Sequence, residues 1–249
     1  MSTARVINLI PAMVCASAAQ ASLVTHAAAG FGGATLLGPD VYGAGHAVAE
    51  TAYPGAMLRA EAWAEYGWVG ARARVEASPA LHEMNRGLAE AAFGDRLRLE
   101  GLSGAGFIVY TFTLTGAAEG EADAHLFLRH EGDPDEELAS EVTGPGVFES
   151  LPHAVVFGHE FSMGLSMLVL ASMGQGESGV SDGDFAAGAA LTGIAVFDGG
   201  MSPLGGWVLS SESGTSYPVP APAGAWCVVG AWAMTGRKRR RNSNKGSVQ

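Results

Sequence analysis

The sequence predicts a mainly β protein whose body is an antiparallel β-sandwich or jelly roll. Glycine accounts for 36 of 249 residues, about twice its usual share. Short apolar segments alternate with glycine-rich turns along the chain, and residues 106–114 are rich in the aromatic and β-branched side chains that favour strands. Many short strands separated by turns are typical of sandwiches and jelly rolls.

The predicted strands follow one another along the chain. The first two are expected near residues 22–26 and 46–51. Residues 59–65 alternate large side chains with alanine, and residues 71–76 repeat the alternation, so the two-residue period predicts a hairpin marked by Gly67 and Gly70. Further strands are expected at 96–100, 106–114, 122–129, 154–157, 161–172, 193–197 and 206–210.

One short helix is also expected near residues 79–92. Ser78 followed by Pro79 is typical of a helix start. Four apolar residues then recur at helical spacing: Leu81, Met84, Leu88 and Ala92.

Residues 1–21 are typical of a secretory signal peptide. Arg5 supplies a positive start, residues 6–16 are mainly apolar, and Ala19 and Ala21 form a small-x-small cleavage site. We therefore predict cleavage after Ala21, with a buried first strand or helix as the alternative. The body would then be an extracellular domain of residues 22–216.

The charge of this body excludes anionic partners. Seven arginines oppose all 25 acidic residues, which gives residues 22–216 a net charge of −18. A body this acidic repels nucleic acid and anionic membranes. It also lacks cysteine, because Cys15 and Cys227 lie in the terminal segments, so neither a disulfide nor thiol chemistry is expected despite export.

The C-terminal part of the chain has three successive segments. Residues 217–222 are rich in proline, and residues 223–236 form an uncharged, largely apolar run that would span about 22 Å as a helix from Pro222, against a bilayer hydrocarbon core of about 30 Å. Residues 237–249 follow as a basic tail, which predicts an anchor helix with a cytoplasmic stop. A buried helix followed by a solvated tail is the alternative. The stop consists of five consecutive cations: Arg237, Lys238, Arg239, Arg240 and Arg241.

These segments resemble the PEP-CTERM sorting signal of bacterial exported proteins. The resemblance rests on the motif Val219, Pro220, Ala221 and Pro222, followed by the apolar run and the terminal arginine cluster. In that family an exosortase, a membrane protease-transpeptidase, recognises a Pro-Glu-Pro motif. This chain has Ala221 where the family usually has glutamate. Residues 89–116 and 191–215 also resemble strands common in such proteins.

The resemblance implies a localisation and a set of partners. It implies export by the secretion machinery, temporary anchoring in the membrane by the C-terminus, and processing by an exosortase-like enzyme for delivery to the cell surface or the extracellular space. It implies no ligand for the β-domain. We therefore expect a surface or matrix protein associated with extracellular polysaccharide.

The search for catalytic motifs favours a non-enzymatic protein. The seven histidines show no compact ligand spacing, since His125 and His130 are five residues apart and His153 and His159 are six apart. Neither a nucleophile elbow nor a phosphate-binding loop is present. A secreted hydrolase stays as an alternative, because paired carboxylates can lie far apart in sequence.

No cofactor is expected except calcium as a minor alternative. Two acidic clusters place hard oxygen ligands on predicted turns, as calcium sites of extracellular β-domains do. Their candidate ligands are Asp133, Asp135, Asp182 and Asp184.

A second functional alternative is a lectin-like carbohydrate-binding module. Such a module needs exposed aromatic rings on one face of a sheet. The candidates are Trp63, Tyr66, Trp68 and Trp207, and core packing is the expected role of at least two of them.

Overall fold

The computed structural model describes residues 21–31, 34–37, 41–42, 45–53, 55–78, 85–174 and 176–218. Within these ranges every regular element is a β-strand, which confirms the mainly β prediction. No helix in this part of the chain is long and apolar enough to cross a membrane. The predicted anchor helix lies outside the described residues.

The strands form two antiparallel sheets of eight strands each. Sheet I contains β1 (Ser22–Phe31), β2 (Ala34–Leu37), β3 (Val41–Tyr42), β7 (Asn85–Glu100), β10 (Glu121–His130), β11 (Glu136–Val142), β14 (Glu160–Met173) and β16 (Val208–Ser211). Sheet II contains β4 (Gly45–Tyr53), β5 (Ala56–Glu65), β6 (Trp68–Ala77), β8 (Ala105–Leu114), β9 (Ala117–Glu119), β12 (Gly146–Glu149), β13 (His153–Val156) and β15 (Gly179–Asp198).

The order of strands brings distant parts of the chain together. Sheet I runs β11-β10-β14-β7-β1-β2, with β16 beside β7 and β3 beside β1. Sheet II runs β12-β8-β15-β6-β5-β4, with β13 beside β8 and β9 beside β15. The inner faces of the two sheets pack against each other as a sandwich, so long strands such as β7, β8 and β10 bury alternate side chains.

The core between the sheets has an alanine-rich part and a part with large side chains. In the alanine-rich part the sheets approach closely, because a β-carbon added at Gly87 on β7 would lie 3.5 Å from the β-carbon of Ala73 on β6. The alternating alanines of β5 are therefore the buried set, and the large residues between them face outward. The other part contains fully buried large side chains, including Tyr110, Phe112, Leu126, Leu128 and Phe185.

The helix expected near residues 79–92 is wrong for residues 85–92. These residues form the first half of β7, which pairs with β1 on one side and β14 on the other. Small residues at odd positions, such as Gly87 and Ala89, face the opposite sheet, whereas Leu88 is only half-buried on the outer face. Two ladders of backbone hydrogen bonds and close sheet packing override the local helical spacing. Residues 79–84 lie outside the described residues.

The hairpin predicted around Gly67 is present. Glu65 of β5 pairs with Trp68 of β6 across the turn, and Gly67 has a φ of +86°, which favours glycine. Gly70, which was expected to mark the same turn, lies within β6 instead. The hairpin fixes which residues of β5 and β6 are neighbours on each face of sheet II.

After β16 the described part of the chain returns to the core at Tyr217. Tyr217 is buried, and its hydroxyl donates a hydrogen bond to Asp95 Oδ2 at 2.6 Å. Asp95, buried on β7, also accepts hydrogen bonds from the backbone N–H and the hydroxyl of Ser213. The packed body therefore extends to Tyr217.

Candidate binding face

The outer face of sheet II carries the most distinctive group of outward-facing polar and aromatic side chains, most of them partly buried. On β5, Leu58 and the alanines point into the core, so Met57, Arg59, Glu61 and Trp63 point outward. The neighbouring strands β4, β6 and β15 extend this face on both sides.

Strand register places three arginines beside several carboxylates. Arg59 on β5 lies opposite Arg74 on β6, and Glu61 lies opposite Arg72. Arg72 Nη2 is 2.9 Å from Asp182 Oδ2, and Arg74 Nη1 is 3.1 Å from the same oxygen. The carboxylate of Asp182 on β15 therefore bridges two guanidinium groups.

Further ion pairs fix the remaining polar groups of the face. Arg59 pairs with Glu61 on its own strand, and Arg74 pairs with Glu76 in the same way. The hydrogen bond to Asp182 raises the pKa of Arg72, and the hydrogen bond to Glu76 raises that of Arg74. The guanidinium groups are thus held charged and in defined orientations.

A shallow cleft of about 210 Å³ lies between these side chains. Its volume is below the usual range for pockets that enclose a small molecule, about 300–1,000 Å³. The face therefore suits a ligand that lies across it rather than one that enters it. The cleft is lined by Met57, Arg59, Arg72, Arg74 and Glu76.

Two tryptophans occupy one end of the same face. Trp63 stacks on His46 of β4, with ring centroids 4.9 Å apart and ring planes 9° from parallel. Trp63 lies opposite Gly70 on β6, where an added β-carbon would come within 2.8 Å of the Trp68 ring. The indole N–H of Trp68 donates to the Ala187 carbonyl at 2.9 Å. Both indole rings are therefore held in place on the surface.

The other two aromatic candidates have a different role. Tyr66 and Trp207 pack against the hydrophobic core, and the indole N–H of Trp207 donates to the Leu204 carbonyl at 3.0 Å. Burial raises the pKa of Tyr66. Of the four predicted aromatic residues, Trp63 and Trp68 share the outer face of sheet II.

Three of the four calcium candidates interact with arginine. Asp182 and Asp184 lie on β15 rather than on a turn, so their predicted position is wrong, and both face Arg72. Arg129 donates two hydrogen bonds to Asp135, at 2.8 and 2.7 Å, which lowers the pKa of that carboxyl group. These carboxylates have cationic partners already.

Asp133, the fourth candidate, has imidazole neighbours. Its Oδ2 lies 2.8 Å from His153 Nδ1 and 3.6 Å from His130 Nδ1. The structure thus joins two histidines that their spacing in the sequence did not connect. Nitrogen donors favour transition metals over calcium.

The predicted sorting residues fall largely outside the described residues. This applies to the motif, to the basic stop and to one residue of the cleavage site: Val219, Pro220, Ala221, Pro222, Arg237, Lys238, Arg239, Arg240, Arg241 and Ala19. Ala21 is described and directly precedes β1.

Sequence reasoning missed the arginines of the outer face, although a signal was present. Arg59 and Trp63 have the same parity on one arm of the predicted hairpin, and Arg72 and Arg74 have the same parity on the other. A two-residue turn at Gly67 puts these two sets on one face. The sequence did not reveal whether the odd-numbered or the even-numbered residues of each strand face the core.

Comparisons with protein-family models, with curated proteins and with solved structures find no match to this chain. The geometry and chemistry of the outer face are therefore the basis on which its function is interpreted.

Proposed function

We propose that this chain is an exported surface protein whose β-sandwich binds an uncharged extracellular polysaccharide through the outer face of sheet II. The observation that carries the proposal is the placement of Trp63 and Trp68 beside a row of ion-paired arginines on one open sheet face. A C-terminal sorting signal delivers the protein to the surface.

The face offers both kinds of contact that a sugar chain uses. A pyranose ring has an apolar side that packs on an indole ring, and its hydroxyls both donate and accept hydrogen bonds. Trp63 supplies the aromatic surface, and Arg59 lies four residues away on the same strand, a span of about 13 Å. Ion pairs already hold the guanidinium and carboxylate groups along this span in place. These groups therefore lose little conformational entropy when they bind sugar hydroxyls.

Charge selects an uncharged polymer over an anionic one. The three arginines of the face are opposed by five carboxylates, those of Glu50, Glu61, Glu76, Asp182 and Asp184. The body as a whole has a net charge of −18. An anionic polysaccharide would meet net repulsion both at this face and from the rest of the surface.

A glycosidase is less consistent with the same face. Glycoside hydrolysis needs one carboxylic acid that retains a proton to donate to the leaving group. Glu61, Glu76 and Asp182 each form an ion pair with an arginine, so their carboxylate oxygens are already engaged. Release of reducing sugar from the bound polysaccharide would favour the hydrolase over the binding protein.

Two described positions near the predicted processing points support the export and sorting part of the proposal. β1 begins at Ser22, directly after the predicted cleavage site. Tyr217 is buried, and the proposed motif begins two residues later at Val219. Both predicted processing points therefore lie, in sequence, next to described residues of the sandwich.

Polysaccharide binding is tested by gel mobility in the presence of neutral and anionic glycans. We expect Trp63→Ala and Arg59→Ala each to weaken binding to a neutral glycan at least tenfold, because aromatic and arginine anchors dominate such interfaces. Arg98→Ala is the matched control, since Arg98 on sheet I is about as exposed as Arg59, at 49% against 52%. Equal loss in all three variants, or preference for anionic glycans, would contradict the proposal.

Sorting is tested separately with residues 217–249 fused to a secreted reporter in the native host. We expect the reporter to fractionate with the membrane or cell surface. Replacing Pro220 and Pro222 together should block processing and leave membrane association intact. A reporter that stays freely soluble, and is unaffected by replacement of the basic residues 237–241, would contradict the sorting function without affecting the binding proposal.

A further inference from the structure

Two histidines from opposite sheets meet at one edge of the sandwich. His130 ends β10 in sheet I, and His153 begins β13 in sheet II; both side chains face the interior. Their rings stack with centroids 4.7 Å apart and planes 17° from parallel. The carboxylate of Asp133, on the turn after β10, lies beside both rings.

His130 is buried without a hydrogen-bond partner. Its side chain is 1% exposed, and neither ring nitrogen has a partner within hydrogen-bond geometry. Buried polar atoms are normally satisfied, so a buried imidazole that faces a carboxylate and a second imidazole is a candidate metal ligand.

His153 has a carboxylate oxygen at each ring nitrogen. Glu136 Oε2 lies 3.1 Å from Nε2, and Asp133 Oδ2 lies 2.8 Å from Nδ1. Glu136 is itself oriented by the backbone N–H of Leu151, which donates to Oε1 at 2.8 Å. The tautomer in which Nε2–H donates to Glu136 leaves the Nδ1 lone pair, beside the Asp133 oxygen, available to a metal ion.

We propose that His130, Asp133 and His153 bind a zinc-like divalent transition-metal ion, with Glu136 holding the His153 ring from the other side. The three ligand atoms lie within 4.8 Å of one another. Zinc bonds to imidazole nitrogen and carboxylate oxygen at about 2.0–2.2 Å, which requires donor atoms roughly 3.3 Å apart in a tetrahedral site. Metal binding therefore requires the donor atoms to move closer together.

Asp133 is the most exposed member of the cluster and has the most room to move. The Asp133 side chain is 42% exposed, whereas the His130 and His153 side chains are 1% and 6% exposed. The two stacked rings must also tilt, because lone pairs in nearly parallel planes do not converge on one ion. Solvent reaches the site on the Asp133 side and supplies the fourth ligand.

The donor set determines which metal is expected. Two imidazole nitrogens and one carboxylate suit zinc, copper or nickel. Calcium prefers six to eight oxygen ligands, which this cluster does not supply. Asp133, which the sequence analysis gave as a calcium candidate, is thus assigned to a transition-metal site instead.

The ion would connect the two sheets where their strands β10 and β13 meet. Residues 22–216 contain no cysteine, so no disulfide can make this connection. Because the ligands come from different sheets, a metal that binds only the folded protein stabilises it by mass action. The proposed role is therefore structural and is independent of the polysaccharide-binding face.

The test uses the full chain, purified without a histidine tag and stripped with a chelator. We expect zinc at a hundred times its dissociation constant to raise the unfolding midpoint by about 5–10 °C. Calorimetric titration should show one ion per chain. Asp133→Asn keeps the size of a partly exposed side chain, so it should fold normally and bind zinc at least tenfold more weakly.

A matched pair of histidine variants completes the test. His153→Gln should abolish the zinc-dependent shift, while His159→Gln should retain it, since His159 is an exposed residue outside the cluster. Cobalt added in place of zinc should give visible absorption bands that Asp133→Asn alters. The proposal is overturned if zinc leaves the midpoint unchanged, if calcium alone raises it, or if zinc binding survives in both cluster variants.

Discussion

Removing the hydroxyl group from each of two buried tyrosines tests the connection that closes the body. Tyr217 donates a 2.6 Å hydrogen bond to the buried Asp95, and burial together with this bond raises the pKa of Tyr217. The hydroxyl of Tyr110 is also buried but has no hydrogen-bond partner. The same chemical change, Tyr to Phe, should therefore have opposite consequences at the two positions.

The expected magnitudes follow from the hydrogen bonds involved. A hydrogen bond to a charged acceptor contributes about 1.5–3 kcal/mol, so Tyr217→Phe should lower the unfolding midpoint by about 3–12 °C in a domain of this size. Tyr110→Phe removes an unsatisfied hydroxyl and should leave the midpoint unchanged or raise it.

Thermal unfolding and limited proteolysis measure the two effects. Tyr217→Phe should also expose residues 212–218 to protease, because Asp95 then holds this segment through Ser213 alone. Equal stability of the two variants, or greater loss in Tyr110→Phe, would refute the view that Tyr217 fastens the end of the body to β7.

Two further predictions concern charge and backbone geometry. His125 lies 3.3 Å from carboxylate oxygens of both Asp123 and Glu137, and its hydrogen bond to Asp123 raises its pKa. The stability that protonated His125 contributes should thus be complete below about pH 6.5 and should disappear as the pH rises through the raised pKa. In His125→Gln, the free energy of unfolding measured by chemical denaturation should change less with pH over this range. Gly188 has a φ of +75°, and a β-carbon there would overlap the Val69 carbonyl oxygen. Gly188→Ala should therefore lower the free energy of unfolding, measured by chemical denaturation, by at least about 2 kcal/mol. An unchanged midpoint would contradict this.

Most of the strand pattern could be predicted from the sequence because it depends on local alternation. The strand at residues 106–114 has β-branched and aromatic residues throughout, and the structure shows it as β8, from Ala105 to Leu114. Residues 85–92 were harder, because alanine and leucine favour helix locally. Their conformation is set by pairing with β1 and β14, which are distant in sequence.

The two sites depended on information that a single sequence does not contain. Predicting the charged face requires knowing that the alanines of β5 point into the core, although they are smaller than the residues between them. His130 and His153 are 23 residues apart and lie in different sheets, so no spacing rule connects them. Asp133 was identified as a ligand candidate, but its neighbours, and hence its metal preference, come from the tertiary structure.

The central claim, export followed by C-terminal sorting, is tested most directly by the intact mass of the protein recovered from the surface and extracellular fractions of its native host. The account predicts a chain that begins at Ser22 and has lost the basic cluster at residues 237–241. A recovered protein whose mass includes residues 1–21 and 237–249 would contradict it.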